Sequence, residues 1–100
     1  MMERQLTVLR LLPWATSEGK PCYLSSEGGY LSRLADETEV RQLATGAEVL
    51  GRARSVLDDP MSPYAEVRYA AIRLSECLDD ALRVAESRGL RLPAPPGIEN

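Results

Sequence analysis

At 100 residues and 44% apolar content, the chain suits one domain with a real but modest hydrophobic core. A formal net charge of −3, with Lys20 as the single lysine, argues against nucleic acid or an anionic membrane as the main partner. There is no histidine, which removes the commonest general base, the commonest metal ligand and the usual pH switch.

The N-terminal run Leu6-Thr7-Val8-Leu9-Arg10-Leu11-Leu12 is apolar but too short before Pro13 for a helix, and it predicts a first strand. Interrupted by Arg10 and Pro13, it has no clean apolar core or small-residue cleavage site and does not read as a signal peptide. Ser17-Glu18-Gly19-Lys20-Pro21 supplies turn chemistry, with Gly19 free to take a positive φ. Cys22–Ser25 predicts a second strand. After the Glu27-Gly28-Gly29 turn, Tyr30–Leu34 predicts a third, completing an antiparallel meander over about residues 5–34. The alternative is a two-strand hairpin, with Tyr30–Ala35 already entering the first helix.

Two long amphipathic helices follow, over 37–57 and 63–88, joined by the break Asp58-Asp59-Pro60-Met61-Ser62. Asp36 and Glu39 have the spacing of a capping box for the first helix. Its expected buried stripe is Val40, Leu43, Ala47, Leu50 and Leu57, in alternating steps of three and four with Arg54 interrupting. Gly46 and Gly51 each cost this helix roughly 1 kcal/mol against Ala, and Ala47 with Gly51 would let another backbone approach. Ser62 as N-cap and Pro63 at the first helical position open the second helix. Its expected seam runs through Val67, Ala71, Leu74, Leu78, Ala81 and Ala85, and Gly89 suits a left-handed cap at its end. Residues 1–91 thus form one α+β domain, a small N-terminal antiparallel sheet on a C-terminal helical hairpin, and 92–100 read as a disordered tail.

Chemistry-bearing motifs are sparse. Asp58-Asp59 and Asp79-Asp80 lack a third ligand at metal spacing and read as a helix-ending loop and a solvated helix face, with Asp79 and Arg83 attracting at i,i+4. Cys22 and Cys77 are too few for a disulfide scaffold and read as free thiols. Gly28-Gly29 matches neither a phosphate-binding loop nor a dinucleotide fingerprint. No catalytic residue, metal or cofactor is expected, and no segment approaches the ~20 apolar residues of a membrane span. The expected setting is cytoplasmic.

What remains is surface. A sheet this small can shield one side of the hairpin but not both, so a homodimer closing a four-helix core is expected. The partner-contact candidates are Trp14, Tyr69, Ile72, Ala47 and Gly51. Tyr69 and Ile72 fall away from the seam of the second helix, Ala47 and Gly51 offer close approach, and Trp14 ends the first strand. The competing reading is that these are single exposed apolar residues and a Trp closing the core. The expected role is a non-enzymatic regulatory or protein-protein interaction module. The alternative is a DNA- or RNA-binding regulator using Arg41, Arg52, Arg54, Arg68 and Arg73, although acidic neighbours such as Glu48 and Glu66 make these look like a salt-bridged surface.

The segments ERQLTVLRLLPW (3–14), GKPCYLSS (19–26), YLSRLAD (30–36) and LRVAESRG (82–89) resemble a set of small proteins of filamentous actinomycetes such as Streptomyces. The resemblance covers most of residues 2–90, implies a bacterial cytosolic setting, and carries no site residues.

Overall fold

The computed structural model describes residues 9–25 and 29–91. Strands β1 (Arg10–Ala15) and β2 (Pro21–Leu24) form an antiparallel hairpin, followed by helices α1 (Gly29–Asp58) and α2 (Tyr64–Arg91). The fold is α+β, a two-stranded sheet packed on a helical hairpin.

The strand hairpin turns on local hydrogen bonds. The Thr16 hydroxyl accepts from the backbone N–H groups of Glu18 and Lys20, and Gly19 takes φ 82°. That conformation carries a steric penalty for any residue with a Cβ. β1 does not stop at Pro13. Arg10 pairs with Leu24, Leu11 with Tyr23, and Ala15 with Pro21, while the register slips between Leu11 and Ala15. The irregular stretch absorbs a proline that a regular ladder would reject. Predicted positions Leu6–Val8, Glu27, Gly28 and the tail 92–100 lie outside the described residues.

The third strand over Tyr30–Leu34 is not formed: this segment is the first part of α1, as in the two-strand alternative. Gly29, at φ 80°, opens the helix. Asp36 therefore lies inside α1 and is not its N-cap, and Glu39 is free for another role. Apolar spacing at Tyr30, Leu31 and Leu34 suits either period over so short a run, and the helix wins by continuing into α1.

Between the helices, Asp59–Ser62 forms a turn closed by the Ser62 N–H on the Asp59 carbonyl, with Asp59 Oδ1 accepting from the Met61 N–H. The Ser62 hydroxyl does not cap α2 as expected. It donates to the Val56 carbonyl at 2.7 Å, satisfying a C-terminal carbonyl of α1. The Pro63 carbonyl instead accepts the first bonds of α2, from Glu66 and Val67. Gly89 makes no left-handed cap: α2 continues through it to Arg91, whose side chain reaches Glu39.

The core lies where β1 meets the helices. Leu11, Leu12 and Pro13 of β1 are buried with Ala35, Val49 and Ala53 of α1 and Ala70 and Val84 of α2. Helix side chains take two β1 carbonyls: Gln42 Nε2 donates to Pro13 and the Ser87 hydroxyl to Leu11, each at 2.8 Å. Ser87→Ala would leave the Leu11 carbonyl short of a buried donor and should cost about 1–2 kcal/mol. A chemical denaturation curve with unchanged slope and a lower midpoint is the expected result.

A charge cluster joins the same elements. Glu39 is 1% exposed; its Oε2 lies 3.4 Å from Arg10 Nη2, and its Oε1 lies 3.3 Å from Arg91 Nη2 and 3.5 Å from Arg88 Nε. Arg10 also donates to Asp36 Oδ1 at 2.6 Å and to the Ser32 hydroxyl at 2.8 Å. One buried carboxylate thus ties β1 to α1 and to the end of α2.

The buried stripe expected on α1 is the largest correction. Val40, Leu43, Leu50 and Leu57 are exposed, and so is Ala47. The inward face is built from Ala35, Glu39, Gln42, Gly46, Val49 and Ala53. Small residues at the contact let two helix backbones come close, and a Cβ built on Gly46 would meet the Cys77 Cβ at 3.9 Å. On α2 the seam is likewise displaced. Ala70, Val84 and Ser87 are buried, Val67, Leu74 and Ala81 are half-buried, and Ala71, Leu78 and Ala85 are exposed.

Candidate interaction surface

The displaced stripes define the main surface feature. At roughly 100° per residue, Val40, Leu43, Ala47 and Leu50 centre about 90–100° around α1 from its inward face. Ala71, Leu78, Leu82 and Ala85 stand a similar angle around α2 from its own inward face, in the same rotational sense. Because the helices run antiparallel, equal rotations in the same sense bring both stripes to one side of the hairpin.

That side is open in the single chain. Val40 is 62% exposed, Leu50 41%, Leu78 59% and Leu82 61%. Single exposed apolar residues need no explanation, but large ones aligned on two adjacent helices make a contiguous patch. Polar punctuation sits at its ends on α1, where Arg33, Asp36, Arg54 and Asp58 lie in or beside the line of the stripe and are all exposed.

The sequence candidates divide between surfaces. Ala47 and Gly51 lie on or beside this apolar side, both exposed, and nothing stands within 4 Å of a Cβ built on Gly51. Gly46, not Gly51, makes the close approach within the chain. Tyr69 lines a cleft of about 480 Å³ on the opposite side, over Val49, Ala53, Val56 and Ala70, with Arg52 and Arg73 also lining it. Ile72 is exposed on the outer surface of α2, and Trp14 is half-buried near the end of β1. The five candidates therefore do not converge. Leu78 and Leu82, which the sequence reading put in or beside a buried seam, join Ala47 instead. Their signal is the three-four spacing itself, which marks an apolar face and says nothing of what covers it.

The arginines also scatter. Arg52 and Arg73 line the cleft, Arg41 lies on the same face of α1 beyond it, Arg54 sits in the apolar stripe, and Arg68 points away from both. Arg73 is engaged by Glu76. Glu48 and Glu66 line the same cleft, so its arginines stand among carboxylates.

The acidic pairs behave as structural groups. Asp59 stabilises the turn, and Asp79 and Asp80 contact Arg83 at 3.0 and 3.6 Å. Burial pushes the Asp80 carboxyl above its ordinary range, opposed by Arg83 and assisted by Asp79 and Glu76. A raised carboxyl pKa means the folded chain holds this proton more tightly than the unfolded chain. The ionised form therefore costs stability, an effect absent below the ordinary carboxylate range and growing as pH rises through it. Asp80→Asn should raise the melting temperature near pH 7 and change it less near pH 3, as scanning calorimetry at both values would show.

Cys22 and Cys77 are free thiols, both half-buried. Among the described residues there is no cluster of three or more metal-ligating side chains, and no described helix is long and apolar enough to cross a membrane. No protein-family model matches the chain, and comparison with curated proteins and with solved structures finds no match.

Proposed function

We propose that this chain is a non-enzymatic interaction module of regulatory type, working through the apolar side of its helical hairpin, with a second copy of the chain as the partner. One observation carries the reading. Val40, Leu43 and Leu50 of α1 and Leu78 and Leu82 of α2 lie exposed on a single side of the hairpin, with Leu82 bordering the strand hairpin at Leu11 and Pro21, while Ala35, Ala53 and Ala70 pack inside with Val49 and Val84. Stable apolar patches of this size on soluble domains are characteristic of association surfaces. A self-complementary patch on a small domain is most simply satisfied by a two-fold pair.

The test is the solution mass. Light scattering at micromolar concentration should return twice the 11.0 kDa chain mass. Polar substitution of Tyr69 and Ile72, which lie off the patch, should leave that mass unchanged. A monomer across this range, or dissociation by the Tyr69 and Ile72 changes, would overturn the reading.

A further inference from the structure

Resting on that reading of the apolar side as an interface, we propose a specific arrangement: the two copies meet about a two-fold axis perpendicular to the helices. α1 then runs antiparallel to α1 of the second copy and α2 to α2, closing a four-helix bundle.

The α1 stripe sets the first register. Asp36, Val40, Leu43, Ala47, Leu50 and Arg54 follow strict three-four spacing, the pattern of a coiled-coil seam. In an antiparallel pair, one register places Val40 against Leu50 of the second copy and Leu43 against Ala47, so that apolar residues meet apolar residues along the stripe. The same register places Asp36, which holds Arg10 of its own chain at 2.6 Å through one oxygen and is still 63% exposed, against Arg54 of the second copy, twice over by symmetry. Thr45 is midway between the members of every pair. A shift of one heptad sets Arg54 against Leu43 or against Gly29, with no carboxylate to meet it.

The α2 stripe admits a register centred on the same level. Antiparallel pairing places Ala71 against Ala85 of the second copy with Leu78 facing itself, and sets Leu82 over Leu74, a half-buried residue beside the stripe. The midpoint is Leu78.

A single axis requires the two midpoints to stand at one height, and they do. Gly46 faces Cys77 across the hairpin. One residue back along α1 and one residue forward along α2 move the same way, so Thr45 and Leu78 are level. The α1 register, chosen on charge, and the α2 register centred on Leu78 thus share one axis. An axis parallel to the helices would instead bring Arg54 of one copy to the level of Val67 and Ala71 in the other, again without a carboxylate.

The surface is large enough. The seam from Asp36 to Leu57 spans about 30 Å, and two helices side by side are about 20 Å wide. That footprint, about 600 Å² per partner, is at the small end of specific interfaces and clears the roughly 1,000 Å² total that one needs.

Site-specific cross-linking tests the arrangement, in a background with Cys22→Ser and Cys77→Ala whose fold is checked by circular dichroism. Leu78→Cys should form a disulfide-linked dimer under mild oxidation, because the two copies of this position face each other across the axis. Ala85→Cys should not, since its two copies are about 21 Å apart along the bundle. Ala71→Cys and Ala85→Cys chains should cross-link with each other when mixed. Arg54→Glu, facing Asp36 of the second copy, should raise the dimer dissociation constant at least tenfold. A dimer that links at Ala85→Cys alone, or links neither Leu78→Cys nor the mixed pair, overturns this arrangement while leaving the interface in place. A monomeric background chain and a monomeric native chain overturn both.

Discussion

Leu78→Glu is expected to convert the proposed dimer to a folded monomer. In the single chain Leu78 is mostly exposed, so a glutamate there meets water and leaves the helix intact. In the pair it stands on the two-fold axis. Each copy then loses the burial of one leucine, about 1.5–3 kcal/mol, and two carboxylates are brought together where water is excluded. Summed over both copies the loss is at least about 3 kcal/mol, or more than about a hundredfold in dissociation constant. Sedimentation velocity should show the monomer at concentrations where the native chain pairs, with an unchanged far-ultraviolet circular dichroism spectrum. Retention of the dimer would remove Leu78 from the interface, and loss of helical signal would mean that it packs inside the fold.

The second large effect is on stability. Glu39→Ala removes the carboxylate that Arg10, Arg88 and Arg91 share. Arg88 and Arg91 are partly exposed and can turn to solvent. Arg10 cannot: it is 8% exposed, and its Nε already lacks a hydrogen-bond partner. It keeps Asp36 and Ser32, so the charge is not wholly abandoned. Breaking a buried pair from one side costs about 3–5 kcal/mol, and the surviving contacts place this variant near 3 kcal/mol. For a domain of this size that is a fall of more than about 12 °C in melting temperature. A change below about 3 °C would mean that Asp36 alone carries Arg10. The asymmetric counterpart, Arg88→Ala, should cost far less, because that side chain is about half exposed and the pair is screened.

Much of the fold was legible in local chemistry. Gly19 marks the strand turn because a left-handed φ suits it, and Asp59-Pro60 breaks the hairpin because proline presets a turn and cannot continue a helix. The helix stripes were legible too, since apolar spacing encodes a face directly. Tyr30–Leu34 was ambiguous because a five-residue apolar run fits both periods, and its connection to α1 decided it. Glu39 was misread because a carboxylate three residues after Asp36 looks like a capping box until the helix is seen to begin at Gly29. Its three arginines come from β1 and the far end of α2, beyond the reach of any local pattern.

By itself the sequence determined that there are two long helices, where they break, and that each carries an apolar stripe at coiled-coil spacing. Only the tertiary structure decided which way those stripes face. Periodicity states that a face is apolar but not whether its own chain or another covers it. Inside the chain, closeness of the backbones decides, and Gly46, Ala53 and Ala70 give it. The larger Val40, Leu43, Leu50, Leu78 and Leu82 are thereby left on the open side, where a second copy can bury them.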